Sequence, residues 1–281
     1  MRRPLLPALL VLLCLTARPL HAAELKQRTV EAFERYVRVT EARMAEELRD
    51  GNAFLWLDRL AEPHRQSHYA ELQQGQIYIE SLETREDGQP IKVPDGMVHH
   101  WVGVIFIPGV TLQQALALIQ DYDNHQNIYK PEVRRSKLLG RDGDSFHIYL
   151  QFYRKTIRTV VLNSEFDVRY FPLDAARVHS QGHSARIAEV EDFDQPDEHE
   201  LPVGKDHGYL WRLNTYWRFQ EKDGGVYVQL ETIGLTRRIP AFIAWLINPL
   251  VKRIPRESLS SLLSSTRTAL TSANAAERAS P

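Results

Sequence analysis

The sequence of 281 residues is close to neutral, with 35 lysines and arginines against 36 aspartates and glutamates, and it contains one cysteine. Because no basic tract or nucleic-acid module occurs, the composition excludes a surface that follows nucleic-acid phosphates. One cysteine also excludes an intramolecular disulfide framework, so the fold depends on its hydrophobic core. The length suits either one domain with an extension or two domains.

Residues 1–22 have the three parts of a secretory signal peptide. Arg2 and Arg3 precede an apolar run at 5–15, and small residues follow up to Ala23. The apolar run is too short for a bilayer core, which needs about 20 residues. We therefore expect cleavage and a periplasmic or secreted protein. Loss of three arginines from the 35 basic residues leaves 32 against 36 acidic ones, a net charge near −4.

Residues 23–95 are predicted to form an N-terminal helical extension that contains one short strand. Apolar residues recur at helical spacing from 24 to 49, and Gly51 then ends the helix. A second short helix is expected at 54–60 and a strand at 77–82. We expect this extension to pack on the main domain, with a free-standing helical module as the alternative.

From residue 96 the pattern is a strand, short helices, six strands and a long helix. Thr111 and Gln114 have the spacing of a capping box, so a helix is predicted to begin there and to end at Asp121. Alternating apolar residues and intervening turn signals predict strands at 99–107, 133–139, 145–153, 156–170, 176–190, 208–220 and 226–232.

The C-terminal part carries an apolar segment at 239–247 and then a helix with one apolar stripe. Pro249 and Pro255 are predicted to break the chain between the two, because proline lacks the backbone N–H that a helix interior needs. A helix with a single apolar stripe needs a partner surface, and the preceding strands supply one.

Residues 121–139 carry a pattern that is similar to one in the START-like helix-grip superfamily. Asp121-Tyr122 is followed by Tyr129-Lys130-Pro131 and then by a strand. This superfamily includes lipid-transfer domains, coenzyme-Q-binding proteins and polyketide cyclases. The resemblance implies an α+β fold over 96–274, in which a curved antiparallel sheet grips a long C-terminal helix around an apolar cavity. Residues 275–281 are then a tail.

The strand at 208–220 is the most informative one. Because side chains alternate along a strand, Trp211, Leu213, Thr215 and Trp217 should share one mostly apolar face. This face is interpreted as a cavity wall, and ordinary sheet core is the alternative. Together with the helical stripe it predicts a ligand-binding set of Ile148, Leu150, Phe152, Leu162, Phe166, Trp211, Leu213, Trp217, Val228, Leu230, Leu259, Leu262 and Leu263.

A second candidate surface combines apolar bulk with flanking cations. It comprises Phe242, Trp245, Leu246, Lys252 and Arg253. This composition is typical of a segment that contacts an anionic membrane surface, so we expect a gate or membrane contact. A lid helix with solvated cations is the alternative.

The sequence predicts no metal, no cofactor and no catalytic residue. His179 and His183 are four positions apart on a predicted strand, about 13 Å, which is too far for one zinc ion. No nucleophile or phosphate-binding motif occurs. Asp121, Asp123 and His125 are expected to cap a turn rather than act as acid and base.

Three hypotheses for function follow. The first is an exported protein that binds a hydrophobic small molecule or lipid between sheet and helix, for transfer or sequestration near a membrane. The second is an enzyme of the cyclase or aromatase kind that uses the same cavity. The third is an interaction protein with a closed core. The identity of the ligand is left open.

Overall fold

The computed structural model describes residues 23–51, 53–155, 158–239 and 241–279, without the side chains of 23, 50, 241–252 and 276–279. The predicted signal peptide lies outside this range. The helices are α1 (Gln27–Asp50), α2 (His64–Gln73), α3 (Leu112–Gln120), α4 (His125–Ile128) and α5 (Ala241–Ala279), with 3-10 turns at Trp56–Arg59 and Tyr122–Asn124.

The strands follow the predicted order. They are β1 (Ala23–Glu24), β2 (Tyr78–Ser81), β3 (Arg85–Glu86), β4 (Gln89–Pro90), β5 (Gly96–Pro108), β6 (Val133–Asp142), β7 (Ser145–Lys155), β8 (Thr159–Pro172), β9 (Arg177–Glu191), β10 (His199–Glu200), β11 (Lys205–Asp206), β12 (Arg212–Lys222) and β13 (Gly225–Arg237).

Nine strands form one open antiparallel sheet in the order β2-β5-β13-β12-β9-β8-β7-β6, with β10 on β9. The hairpin between β12 and β13 turns at Asp223 and Gly224, whose φ angles are 57° and 74°. Positive φ at both turn residues matches the twist of the flanking strands, so the two strands pair without interruption. β2 joins β5, so the predicted extension contributes a strand to the main sheet.

Helix α5 packs on one face of the sheet, which we call the inner face. Leu259, Leu263 and Leu270 of α5 share a hydrophobic core with inner-face residues such as Ile105 and Phe166. The predicted α+β architecture, an antiparallel sheet with a long C-terminal helix and N-terminal helices, is confirmed.

The opposite side of the sheet, which we call the outer face, is covered by the N-terminal region. Phe33, Tyr36 and Met44 of α1 form a second core with Ile233 and Leu235 of β13. A third core lies around the 3-10 turn at Trp56–Arg59 and buries Leu55, Leu57, Leu72 and Tyr227. The central strands are therefore buried on both faces.

One prediction about the helices is wrong, and one helix was not predicted. α5 is a single helix of 39 residues that continues through Pro249 and Pro255. Each proline removes only one backbone donor, so the helix can continue through them when the remaining turns are stabilised by packing. The sequence analysis also missed α2, whose Leu72 is its one buried residue, so its helical periodicity is weak.

Candidate ligand-binding groove

Several large apolar side chains on the inner face keep exposed surface although they belong to the interior of the fold. They are Trp101, Leu150, Phe152, Leu213 and Trp217 of the sheet and Leu262 of α5. All of them pack against the main hydrophobic core. Apolar side chains that pack on a core yet remain partly accessible indicate a groove beside α5.

Helix α5 approaches the sheet most tightly at β5. A Cβ atom built on Gly103 would lie 2.6 Å from Leu263 Cδ1. In the same cross-strand row, Gly103 is paired with Leu230, which is paired with Trp217 of β12 and then with Ser180 of β9. The helix therefore rests on β5, and the partly exposed side chains of Leu213 and Trp217 on β12 border the groove beside it.

The next row across the inner face is polar at its centre. Gly182 of β9 is paired with Thr215 of β12, Thr215 with Thr232 of β13, and Thr232 with Trp101 of β5. Thr215 and Thr232 are both partly exposed. The middle of the groove floor thus presents two neighbouring hydroxyls between aromatic and aliphatic side chains.

Hydroxyl groups of the inner face lack hydrogen-bond partners among the described residues. Ser164 and Ser180 are buried, and neither Oγ atom has a partner there. No hydrogen bond of Thr215 Oγ1 or Thr232 Oγ1 is found in the same part of the chain. Buried polar groups in folded proteins are nearly always hydrogen-bonded, so the unpartnered hydroxyls of Ser164 and Ser180 are exceptions.

A third row of the inner face carries a histidine. Leu213 is paired with Gly234, and Gly234 with His99. His99 Nε2 lies 3.0 Å from Thr236 Oγ1. Burial lowers the pKa of His99 to about 4, so the ring is neutral at pH 7.

Tyrosine hydroxyls form hydrogen bonds within the core beneath α3 and α4. Tyr122 and Tyr170 are joined by a hydrogen bond of 2.8 Å between their hydroxyls, and Tyr129 OH lies 3.2 Å from Thr266 Oγ1 of α5. Burial raises the pKa of Tyr129 to about 12 and raises that of Tyr170 well above its ordinary value. These phenols are therefore neutral structural groups that join the sheet, the short helices and α5.

Polar residues of the turn after α3 also have structural roles. Asp123 Oδ1 accepts a hydrogen bond of 2.9 Å from the backbone N–H of Leu138. His125 Nε2 donates to the carbonyl of Ile119 at 3.0 Å. The predicted capping box is present too, because Thr111 Oγ1 accepts from the Gln114 N–H at 3.2 Å.

The structure brings most of the predicted ligand-binding residues to the inner face. Those buried in its core are Ile148, Phe166, Val228, Leu230, Leu259 and Leu263, and those partly exposed are Leu150, Phe152, Leu213, Trp217 and Leu262. Leu162 is buried at the same strand parity as Phe166. The partly exposed residues are the ones that border the groove.

Trp211 does not belong to this surface, and its prediction is wrong. Its side chain lies in the outer-face core beneath α1, where its Nε1 donates to Asp206 Oδ1 at 2.8 Å. β12 begins only at Arg212, after a bend at Trp211 and a φ of 74° at Gly208. Strand alternation therefore does not extend back to position 211.

Four of the five predicted gate residues, Phe242, Trp245, Leu246 and Lys252, lie outside the residues whose side chains are described. The fifth, Arg253, is exposed, and its Nε is 2.5 Å from Glu257 Oε1. Glu257 also pairs with Arg154 of β7 at 2.8 Å. α5 is thus connected to the end of β7 by this ion-pair cluster.

Buried charges cluster on the outer face, under α1. Arg218 of β12 donates to Glu47 at 2.8 Å and to the carbonyl of Phe54 at 2.7 Å. His100 Nε2 is 2.7 Å from Glu231 Oε1, which also pairs with Arg43. Sequence alternation places Arg218 and Glu231 opposite the apolar face, but no local pattern shows that α1 covers them.

The balance of forces on Glu231 favours its charged form. Burial by itself would raise its pKa, but hydrogen bonding from His100 and the positive charges of Arg43 and Arg218 lower it below its ordinary value. The outer-face network is therefore a buried set of compensated charges, while the three inner-face rows described above contain no charged side chain.

A polar depression of about 580 Å³ lies on the outer face near the β6–β7 hairpin. His147 and Asp167 line it and are paired at 2.9 Å, and His183 at its edge pairs with Glu41 at 2.6 Å. His147, Asp167 and His183 are thus engaged in hydrogen bonds.

No cluster of three or more potential metal ligands occurs among the residues that the structure describes. In the same part of the chain, no helix combines the length and the hydropathy required to span a bilayer.

The sequence matches no protein-family model and no curated protein. Several solved structures are similar to this chain in fold. A STAR-related lipid transfer protein from Xanthomonas axonopodis is 16% identical, with a TM-score of 0.43 over 68% of this chain and 98% of that one. A START superfamily protein from Mycobacterium smegmatis is 11% identical, with a TM-score of 0.42 over 62% and 97%. Human STARD10 is 9% identical, with a TM-score of 0.40 over 74% and 80%.

The fold is START-like. This statement depends on the antiparallel sheet and on the position of α5 against its inner face, which agree with the arrangement that the sequence resemblance implies. The matches are likenesses of fold, and nothing about ligand or activity is taken from them.

Proposed function

We propose that this protein is an exported carrier that holds a hydrophobic molecule in the inner-face groove between α5 and strand β12. The observation that carries the proposal is the set of partly exposed apolar side chains inside the fold, above all Leu213, Trp217 and Leu262. A closed core would bury such residues completely, as it does Phe219 and Leu263.

The chemistry of the groove favours binding over catalysis. Its three central rows carry apolar, glycine and hydroxyl side chains, and the one titratable group among them, His99, is neutral at pH 7 with a pKa of about 4. Apolar walls with a few polar groups are typical of sites that enclose small hydrophobic molecules. A lipid-like molecule would thus gain free energy from burial without needing a reactive partner.

The test is uptake by the mature chain, starting at Ala23. Native mass spectrometry of protein purified without detergent, followed by release and identification of bound compounds, should show a stoichiometric hydrophobic adduct. Leu213→Asp should abolish uptake of an uncharged fluorescent lipid probe, because it places a charge in the groove wall.

Leu139→Asp is the matched control, because Leu139 is 45% exposed on the edge strand β6. It should leave uptake unchanged. Absence of any adduct and of probe binding in the wild-type protein would rule out the carrier function. Equal loss of uptake in both variants would show that the groove is not the site.

Export is the second part of the proposal, and the composition of residues 1–22 supports it. N-terminal sequencing of the protein recovered from a bacterium that expresses the full chain should begin at or next to Ala23. Recovery of the chain from the cytoplasmic fraction with residues 1–22 intact would contradict export.

We further propose that the N-terminal half of α5 contacts membranes while the ligand enters or leaves. The apolar and cationic composition of 240–254 supports this role. The double variant Lys252→Glu/Arg253→Glu should float less with anionic vesicles and equally with neutral ones. An Arg134→Glu/Arg135→Glu variant, which changes two exposed cations of β6, controls for net charge.

A further inference from the structure

Three hydroxyl side chains meet on the floor of the groove, and we call them the hydroxyl cluster: Ser180, Thr215 and Thr232. Thr215 and Thr232 are directly opposite each other on β12 and β13, and Cβ atoms of such pairs are about 5 Å apart. Ser180 is diagonal to Thr215, two residues along β9 from its partner Gly182. The cluster lies mid-sheet, between Trp217 and Trp101.

The hydroxyls of this cluster are not used by the protein itself. Ser180 is 1% exposed, and its Oγ has no partner among the described residues. The hydroxyls of Thr215 and Thr232 make no hydrogen bond within the same part of the chain. Valine would fill the same volume on a strand without introducing a polar atom that costs free energy to bury. The part of the chain that the structure describes therefore supplies no partner to the three hydroxyls, and the two partly exposed ones are open to water or to a bound molecule.

Gly182 leaves room for this arrangement. A Cβ atom built there would lie 2.6 Å from Thr215 Oγ1 and 3.3 Å from Val168 Cγ2. Any side chain at 182 would displace the Thr215 hydroxyl from its position over β9. The absence of a side chain at 182 thus leaves space on the inner face for the Thr215 hydroxyl.

No charged side chain lies in the three inner-face rows around the hydroxyl cluster, as far as the structure describes the chain. The charged pairs Arg218–Glu47 and His100–Glu231 lie on the outer face. Glu189, at the end of β9, accepts hydrogen bonds from His207 and from the Tyr209 N–H, so its oxygens are occupied. A carboxylate or phosphate at the cluster would be desolvated without a counter-charge.

We infer that the groove takes an uncharged, lipid-like molecule with a hydroxyl or carbonyl oxygen part-way along its length, and that the hydroxyl cluster recognises this oxygen. The inference rests on the proposed carrier function and adds the ligand class to it. The apolar residues on either side of the cluster then contact the hydrocarbon on either side of the polar atom.

The experiment compares three probes delivered from cyclodextrin: a long-chain dialkyl ketone, the alkane of equal length, and palmitate. Retention by the mature protein is measured by native mass spectrometry. Wild-type protein should prefer the ketone over the alkane by about ten-fold, equivalent to ~1.4 kcal/mol. Palmitate should bind more weakly than the ketone at the same chain length.

Thr215→Val/Thr232→Val removes two hydroxyls at constant shape and should reduce the ketone preference to about two-fold or less. Thr215→Ser keeps the hydroxyl and should keep the preference. Ser180→Ala provides a second, smaller change that reduces the preference if the double variant does not fold.

The outcomes separate the two proposals. Equal retention of ketone and alkane by the wild-type protein, an unchanged preference in the valine variant, or tighter binding of palmitate than of the ketone would overturn the inference while the carrier function stands. No retention of any probe would overturn both.

Discussion

Gly103 of β5 lies directly beneath Leu263 of α5, and a Cβ atom at 103 would come within 2.6 Å of Leu263 Cδ1 and 3.1 Å of Leu259. The missing side chain lets the helix rest on the sheet at this strand. This contact sets the distance between α5 and the sheet, and with it the height of the groove beside the helix.

We therefore expect Gly103→Ala to lift or shift α5 and to lower the free energy of unfolding by about 1–3 kcal/mol, the usual cost of overpacking. Gly234→Ala is the matched control, since its nearest neighbour would be Leu210 Cδ1 at 3.5 Å. Urea unfolding measures the free energy of unfolding of both variants. Combining Gly103→Ala with Leu263→Ala should cost less than the sum of the two single changes, and additivity would contradict the contact.

The buried ion pair Arg218–Glu47 should stabilise α1 against the sheet. Arg218→Ala would leave the Phe54 carbonyl and one Glu47 oxygen without their donor, at a cost of about 3 kcal/mol in unfolding free energy. Because this pair is on the outer face, uptake of a hydrophobic probe by the folded variant should not change. Arg65→Ala, which removes the exposed pair with Glu62, should leave the free energy of unfolding nearly unchanged, because solvent screens that pair.

Acid should destabilise the protein through its buried histidines. Burial lowers the pKa of His125 from 6.5 to about 4. Between these values the unfolded chain binds a proton that the folded protein does not, so stability falls as pH drops from 6.5 to about 4. His125 alone contributes a slope of at most ~1.4 kcal/mol per pH unit.

His125→Gln tests this assignment in urea titrations at several pH values. The variant should be less stable than the wild type at pH 7, because it disturbs the hydrogen bond to Ile119. Its stability should fall less steeply below pH 6.5, so that the two curves approach each other in acid. Parallel curves would show that His125 does not titrate in this way.

Tryptophan emission can separate the inner face from the outer face. Trp217 is partly exposed in the groove and stacks on Phe219 at 5.8 Å, whereas Trp211 is buried against Asp206. Ligand uptake should shift the emission of the wild type and of Trp211→Phe. The shift should shrink in Trp217→Phe, and the reverse result would place the ligand on the outer face.

Strand alternation predicted the groove wall well inside β12 and poorly at its start. Leu213, Trp217 and Phe219 share the inner face as expected, because the backbone is regular from Arg212 onward. At Trp211 a bend precedes the strand, and the side chain turns to the opposite core. Side chains alternate between the two faces only within a regular strand, so the alternation cannot be extended past this bend.

The two helices were misread for different physical reasons. The proline rule predicted a break within α5, but the helix extends from Ala241 to Ala279. α2 buries only Leu72, so it has almost no periodic signal. Packing of Leu259 and Leu263 on the sheet stabilises α5 beyond its prolines, whereas α2 was missed because a single buried residue leaves no apolar stripe.

Local sequence alone determined the strands, the capping box at Thr111 and the apolar stripe of the last helix, since these depend on residues close together in the chain. The tertiary structure decided which face each helix covers, where α5 touches β5, and that Ser180, Thr215 and Thr232 meet on the groove floor. These features arise from strand pairing between residues far apart in sequence. The alternation of side chains shows that a strand has two faces, but it does not show which helix covers each face.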